Sequence, residues 1–305
     1  NDNSKLKNYK RKEIESENEG VTLVQTICKV DDEVAFKNTV ATILEGRSTI
    51  ALRVKQTDDG GIKIQKFPNY SPVLYCAFPM IGATDFNFPI VINSEFFVPN
   101  RERDGIEISE YDEENRERLI EAKDAFINLI DIVEENKWRN TYHLFNLSKV
   151  DFANDDIQKW YKRNIYSPIY DKLRESNIIQ TSNDLDDEFK SLSELYIPYI
   201  DKRKTDKYNL LETLFNLGNK LFSEELPVKS HYRKWYDKID FELFDDEKFD
   251  IEKLVEKISE DNNTISGFKE NYELEKQSAI GYLKDVVEFI IQNEEESLLN
   301  DYSVI

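Results

Sequence analysis

Ile50-Ala51-Leu52-Arg53-Val54-Lys55-Gln56 alternates apolar and polar residues, Asp58-Asp59-Gly60-Gly61 follows, and Ile62-Lys63-Ile64-Gln65-Lys66-Phe67 alternates again. Two period-2 stretches around an Asp-Gly turn are the strongest short-range signal for a β-hairpin. Sheet texture extends to both sides of it. Val21 to Cys28 is rich in β-branched residues and reads as a strand. Val73 to Met80 is an almost continuous apolar run bounded by prolines, which predicts a buried strand, and Phe88 to Ile92 predicts another. Pro68, Pro72, Pro79, Pro89 and Pro99 all fall in this part of the chain, and proline belongs at strand ends and edges rather than in helices. The region 20–108 is therefore expected to be mostly sheet.

Beyond Tyr111 the period changes. Asp112, Glu113 and Glu114 place acid in a first helical turn, where it suits the helix dipole. Leu119, Phe126, Ile127, Ile130 and Val133 then recur on one face, predicting a helix near 112–136. Further helices are expected at about 154–163, 168–176, 184–195, 205–223, 247–260 and 269–297. Ser167-Pro168 reads as an N-cap serine with proline at the first helical position. The expectation is an α+β chain. Residues 1–19 are polar and read as a linker or the edge of an upstream domain. Residues 20–136 form a mainly antiparallel sheet domain closed by a helix, and 137–305 form a mostly helical domain.

Charge sets limits on partners. The chain has 305 residues, with 61 acidic against 41 basic and a net charge of −20. Residues 1–105 are nearly neutral, with 14 basic and 15 acidic side chains. Residues 241–305 carry 6 basic and 18 acidic. The acidic helical part lacks the basic footprint that nucleic acid or an anionic membrane requires. For the sheet part, charge leaves the question open. No apolar run reaches the length of a membrane span. Two cysteines, Cys28 and Cys76, exclude a disulfide scaffold and fit a reducing, cytoplasmic setting. The start at Asn1 and the polar N-terminus suggest a piece of a longer protein.

Chemical motifs are sparse. Nine glycines, with only Gly60 and Gly61 adjacent, form neither a Walker A loop nor GxGxxG, so no nucleotide motif is present. His143 and His231 are isolated, and no metal-ligand spacing occurs. Glu121-Ala122-Lys123 has the nuclease-like Glu-x-Lys form but falls on a predicted helix, so it reads as structural. One segment stands apart: two strand-like stretches lead into Asn100-Arg101-Glu102-Arg103-Asp104-Gly105, which holds the only arginines between 54 and 115. A loop arginine presents a planar fork suited to phosphate or carboxylate. Local pairing with Glu102 or Asp104 would remove that capacity.

The motifs Tyr75-Cys76-Ala77-Phe78-Pro79, Phe88-Pro89-Ile90-Val91-Ile92-Asn93-Ser94-Glu95-Phe96 and Arg103-Asp104-Gly105 resemble a region of the sacsin-related proteins. They resemble equally the bacterial ATPases of the GHKL class, relatives of the ninety-kilodalton heat-shock chaperone. The matching region follows the ATP-binding domain in that family. The stretch Asn164 to Leu173, continuing to Thr181, is similar to its helical part. The resemblance implies a middle and helical region that couples ATP binding in an upstream domain to conformational change. Arg103 first, and Arg101 second, would be offered to the γ-phosphate, with Asn93, Phe96, Asp104 and Gly105 supporting strand and loop. It implies ATP and Mg for the whole protein, no cofactor or catalysis in this piece, and the upstream domain plus a protein client as partners. A different class of function is a non-catalytic interaction module. There the acidic helices bind basic partners through Trp138, Trp160, Trp235 and Tyr236, unless these are core residues. Its parent could then belong to a bacterial defence or nucleic-acid-processing system.

Overall fold

A computed structural model describes residues 7–14, 19–30, 33–69, 71–83, 88–109, 113–147, 152, 154–181, 188–242, 244–260, 264–272 and 275–302. The chain is α+β, a mainly antiparallel sheet followed by helices. It divides into two compact units, Asn1–Ile178 and Ile179–Ile305. The boundary expected at 136/137 is thus displaced, because the segment after the first long helix folds with the sheet rather than with the later helices.

The N-terminal unit is built on strands β1 (Lys7–Ile14), β2 (Thr22–Val30), β3 (Glu33–Glu45), β4 (Ser48–Gln56), β5 (Ile62–Ile64), β6 (Leu74–Tyr75), β7 (Pro79–Met80) and β8 (Val91–Asn93). Their order is β1-β2-β3-β4-β8-β6-β7, with β5 paired to β4. The expected hairpin is β4–β5, in register Val54↔Ile64 and Gln56↔Ile62. Thr57 N–H to the Gly61 carbonyl at 2.8 Å closes its turn. Residues 1–19 are not simply a linker: Lys7–Ile14 pairs along its whole length with β2. Its charged residues hide a strand because an edge strand needs no apolar alternation. The apolar stretch 73–80 is not one strand. It reverses at Ala77, whose φ of 56° is left-handed, so that Leu74 faces Met80.

Helix α1 (Glu113–Glu135) packs Leu119, Ala122, Phe126, Leu129, Ile130 and Val133 against Ala41, Ile43, Ile50 and Leu52 of the sheet. α2 (Asp155–Tyr161) runs through a π-turn at Lys162–Tyr166 directly into α3 (Ser167–Glu175). Ser167 is therefore not a cap: it has helical dihedrals and sits inside a continuous helical path. Lys172 on α3 pairs with Asp131 on α1 at 2.5 Å.

The C-terminal unit contains β9 (Ile179–Gln180) paired with β10 (Phe189–Lys190), and β11 (Ile197–Pro198) parallel to β12 (Lys248–Phe249). Its helices are α4 (Lys207–Leu221), α5 (Tyr232–Lys238), α6 (Ile251–Glu260), α7 (Ile265–Asn271), α8 (Lys276–Gln292) and α9 (Leu298–Asp301). Two expectations change here, and one helix, α5, is unexpected. Residues 188–195 form β10 and a short 3₁₀ turn instead of a helix, while 184–187 lie outside the described residues. The stretch 269–297 is divided between the end of α7 and α8, since Tyr272 caps one helix and Glu275 opens the next. α5 lacks the length that would announce it in the sequence. Phe215 stacks on Tyr232 with ring centres 4.2 Å apart, and Phe249, Phe268 and Phe289 complete an aromatic core.

Candidate functional site

One end of the N-terminal sheet gathers the β3–β4 turn, the β6–β7 turn and the exit of β8. Pairing of Thr49 with Asn93, and of Asn93 with Tyr75, aligns these three. The exit of β8 leads into the arginine loop. Pro99 pairs with Ile106, and Asn100 donates its N–H to the Gly105 carbonyl at 2.9 Å. The Arg103 N–H reaches the Asn100 carbonyl at 3.0 Å. The Asn100 side chain fills the turn: its Oδ1 accepts from the Asp104 N–H at 3.1 Å, and its Nδ2 donates to Asp104 Oδ1 at 2.8 Å. The loop is thus a closed hairpin turn, not a loose strap.

Arg103 has a φ of 59°. A left-handed non-glycine residue costs on the order of 1 kcal/mol. Asp104 is hydrogen-bonded by Asn100 and, among the described residues, makes no ion pair with either arginine. Among the described residues neither Arg101 nor Arg103 forms an ion pair, and both are exposed. The local-pairing alternative is therefore not what the loop adopts. Arg103 lies close enough to Cys76 to act on it: burial pushes the Cys76 thiol up, Glu95 adds to this, and Arg103 opposes it. Cys76 itself is buried, and its Sγ lies 3.2 Å from the Phe97 carbonyl, a structural thiol.

The supporting residues differ in what they do. Asp104 joins two segments, since its carbonyl accepts the Gly82 N–H at 2.7 Å. Gly105 is buried in the turn, and its N–H donates to Asn100 Oδ1 at 3.3 Å. Phe96 is 46% exposed, and the Arg47 guanidinium lies 4.5 Å above its ring. Asn93 contributes its main chain to two ladders, while its side chain faces solvent.

Sequence reasoning missed four residues here. Arg47 in the β3–β4 turn adds a third cation to this end of the sheet. Asn100 was legible in principle, as a Pro-Asn turn signal. Asn115, in the first turn of α1, is fully buried and clamps both ends of the loop. Its Oδ1 accepts the Val98 N–H at 2.8 Å, and its Nδ2 donates to the carbonyls of Val98 and Glu107, each at 2.9 Å. Gly82 is the fourth. A Cβ there would stand 2.5 Å from Asp104 Oδ2 and 3.0 Å from its Cβ. Gly82→Val should therefore displace Asp104 from Asn100 and lower stability by about 1–3 kcal/mol, as overpacking does. Urea unfolding checks this, and an unchanged midpoint would contradict it.

Glu121 has a structural task, not a nuclease one. Its Oε2 accepts the Arg47 N–H at 3.0 Å, and its Oε1 lies 3.2 Å from Arg118 Nη2. Among the described residues no group of histidine, cysteine or acidic side chains could hold a metal, and no helix is long and apolar enough to cross a membrane. No family model, curated protein or solved structure matches the chain.

Proposed function

We propose that the N-terminal unit serves as the coupling domain of a cytoplasmic ATPase of the GHKL class. In this reading it offers Arg103, with Arg101 beside it, to the γ-phosphate of a nucleotide held by an upstream domain. The observation that carries it is the arginine turn: closed by Asn100, clamped by Asn115, and bearing two exposed guanidinium groups without acidic partners. A guanidinium held in advance stabilises charge on a transferring phosphoryl group without reorganising during the reaction. Phe78, Ile81 and Val98 are exposed on the adjoining turns, with Ile81 at 73%, as a face that docks on another domain requires. ATP and Mg would be bound by that other domain, and the helices would pass its closure on to a protein client.

The test compares ATP turnover of this chain with that of a longer chain restoring an ATP-binding domain before residue 1. The longer chain should hydrolyse ATP and this chain should not. Arg101→Ala with Arg103→Ala in the longer chain should lower kcat about 100-fold. Turnover by this chain alone, or a kcat within twofold of the parent in the double variant, overturns the proposal.

A further inference from the structure

The opposite end of the same sheet, ~25 Å along β4 from Arg47, has a different chemistry. Side chains directly opposite each other in an antiparallel pair share a face. Lys12, Gln25 and Thr39 are in line across β1, β2 and β3, and Lys10, Ile27 and Lys37 form the next row. These rows continue the core face beyond its apolar part, Leu23, Ala41 and Leu52. Strands β1 to β4 together carry eight basic and three acidic residues, the reverse of the whole chain.

Past Thr39↔Val54, β3 no longer pairs with β4, which turns to pair with β5. The strands part like a fork and leave a depression of about 360 Å³. Lys37 stands on one prong and Lys55 on the other, and Gln25, Thr39, Gln56 and Gln65 also line it. With Arg53 the lining holds three cations and no carboxylate. Among the described residues Lys10, Lys12, Lys37 and Lys55 form no ion pair. Glu33 lies at the hairpin tip, and neither Glu33 nor Glu13 lines the depression. At physiological salt, fields decay over about 8 Å. Charge close to the depression therefore counts most in what docks there.

We propose that this fork binds single-stranded nucleic acid, with one backbone phosphate between Lys37 and Lys55 and adjoining phosphates over Lys10 and Lys12. The cations extend over three strands, which suits a chain of phosphates better than one small anion. Gln56 and Gln65, which water reaches, both donate and accept hydrogen bonds, which matches base edges, whereas Gln25 and Thr39 are buried and bonded to each other at 3.4 Å. A peptide carboxylate would use donors alone. No aromatic side chain occupies these two rows, so binding rests on phosphate contacts. It is therefore sequence-tolerant and strongly salt-dependent.

Fluorescence anisotropy of labelled twelve-residue oligo-dT and oligo-rU with the whole chain, over a salt series, tests this. Lys37→Ala with Lys55→Ala should weaken binding at least about 10-fold and reduce the slope of log K against log salt by about 1.4, for two lost phosphate contacts. Lys37→Arg with Lys55→Arg should stay within about threefold of the parent. Lys269→Ala with Lys284→Ala, the same charge change on α7 and α8, should leave binding unaltered. All four lysines are exposed or half-buried, and thermal unfolding confirms that each variant folds. The proposal is overturned by absence of oligonucleotide binding at low salt. It is equally overturned by parent-like binding in the alanine variant, or by equal competition from polyglutamate of the same length.

Discussion

Asn115→Ala should lower the stability of the N-terminal unit by about 3 kcal/mol, and it should release the arginine loop. Among the described residues the side chain makes three hydrogen bonds to main chain, at Val98 twice and at Glu107. Alanine leaves one N–H and two carbonyls without these partners. Each such group costs roughly 1–3 kcal/mol when buried, and less where water reaches it. Val98 is half exposed, which holds the sum near the lower end. The loop enters at Val98 and leaves at Glu107, so one side chain on α1 holds both its ends. Asn115→Asp is the sharper variant. It keeps the size and the acceptor for Val98 N–H but removes the donor for two carbonyls and buries a charge. Urea unfolding reads the stability, and tryptic cleavage after Arg101 and Arg103 reads the release. Both variants should be cut faster there while cleavage elsewhere in the unit keeps its rate. Parent-like stability together with parent-like cleavage would remove Asn115 from its positioning role.

What the sequence shows of this fold follows from how local each signal is. The β4–β5 hairpin is legible because alternation and turn glycines are local properties. Helix α1 is legible because its apolar stripe, Leu119 to Val133, lasts for about four turns. β1 is not, since Lys7–Ile14 satisfies its backbone against β2 while its side chains remain charged. The 73–80 stretch misleads because apolar content does not mark the reversal at Ala77, a non-glycine residue in left-handed conformation. Ser167-Pro168 misleads in the opposite way: a complete start signal lies inside a helical path that a π-turn has already begun. In the candidate site, Arg101 and Arg103 stand out by their isolation in the sequence. Their clamp does not, because the Asn115 side chain acts on main chain 17 and 8 residues away. The basic fork is likewise invisible: Lys10 and Lys37 share a row only through register, and Lys55 joins Lys37 only where the strands part.

Trp138→Ala and Trp235→Ala should each cost about 3–5 kcal/mol, the range for deleting a large buried aromatic side chain. Each is only 1% exposed. The Trp138 indole N–H has no acceptor among the described residues, so that side chain stabilises by packing and not by hydrogen bonding. Tyr236 is fully buried as well, with its hydroxyl donating to the Ile200 carbonyl at 2.7 Å. These three therefore stand as core residues and not as surface anchors for a basic partner. Trp160 differs. It is half-buried, with the Arg116 guanidinium 5.0 Å above its ring. Trp160→Ala should cost less, about 1–2 kcal/mol, through lost cation–π contact and partial packing. Phenylalanine at 138 or 235 should recover part of the loss, since it refills some of the cavity. Urea unfolding of the five variants measures the order. An interaction module built on these tryptophans requires the reverse pattern, with stability kept and partner capture lost. A loss below about 1 kcal/mol at 138 or 235 would revive that reading for the unit concerned.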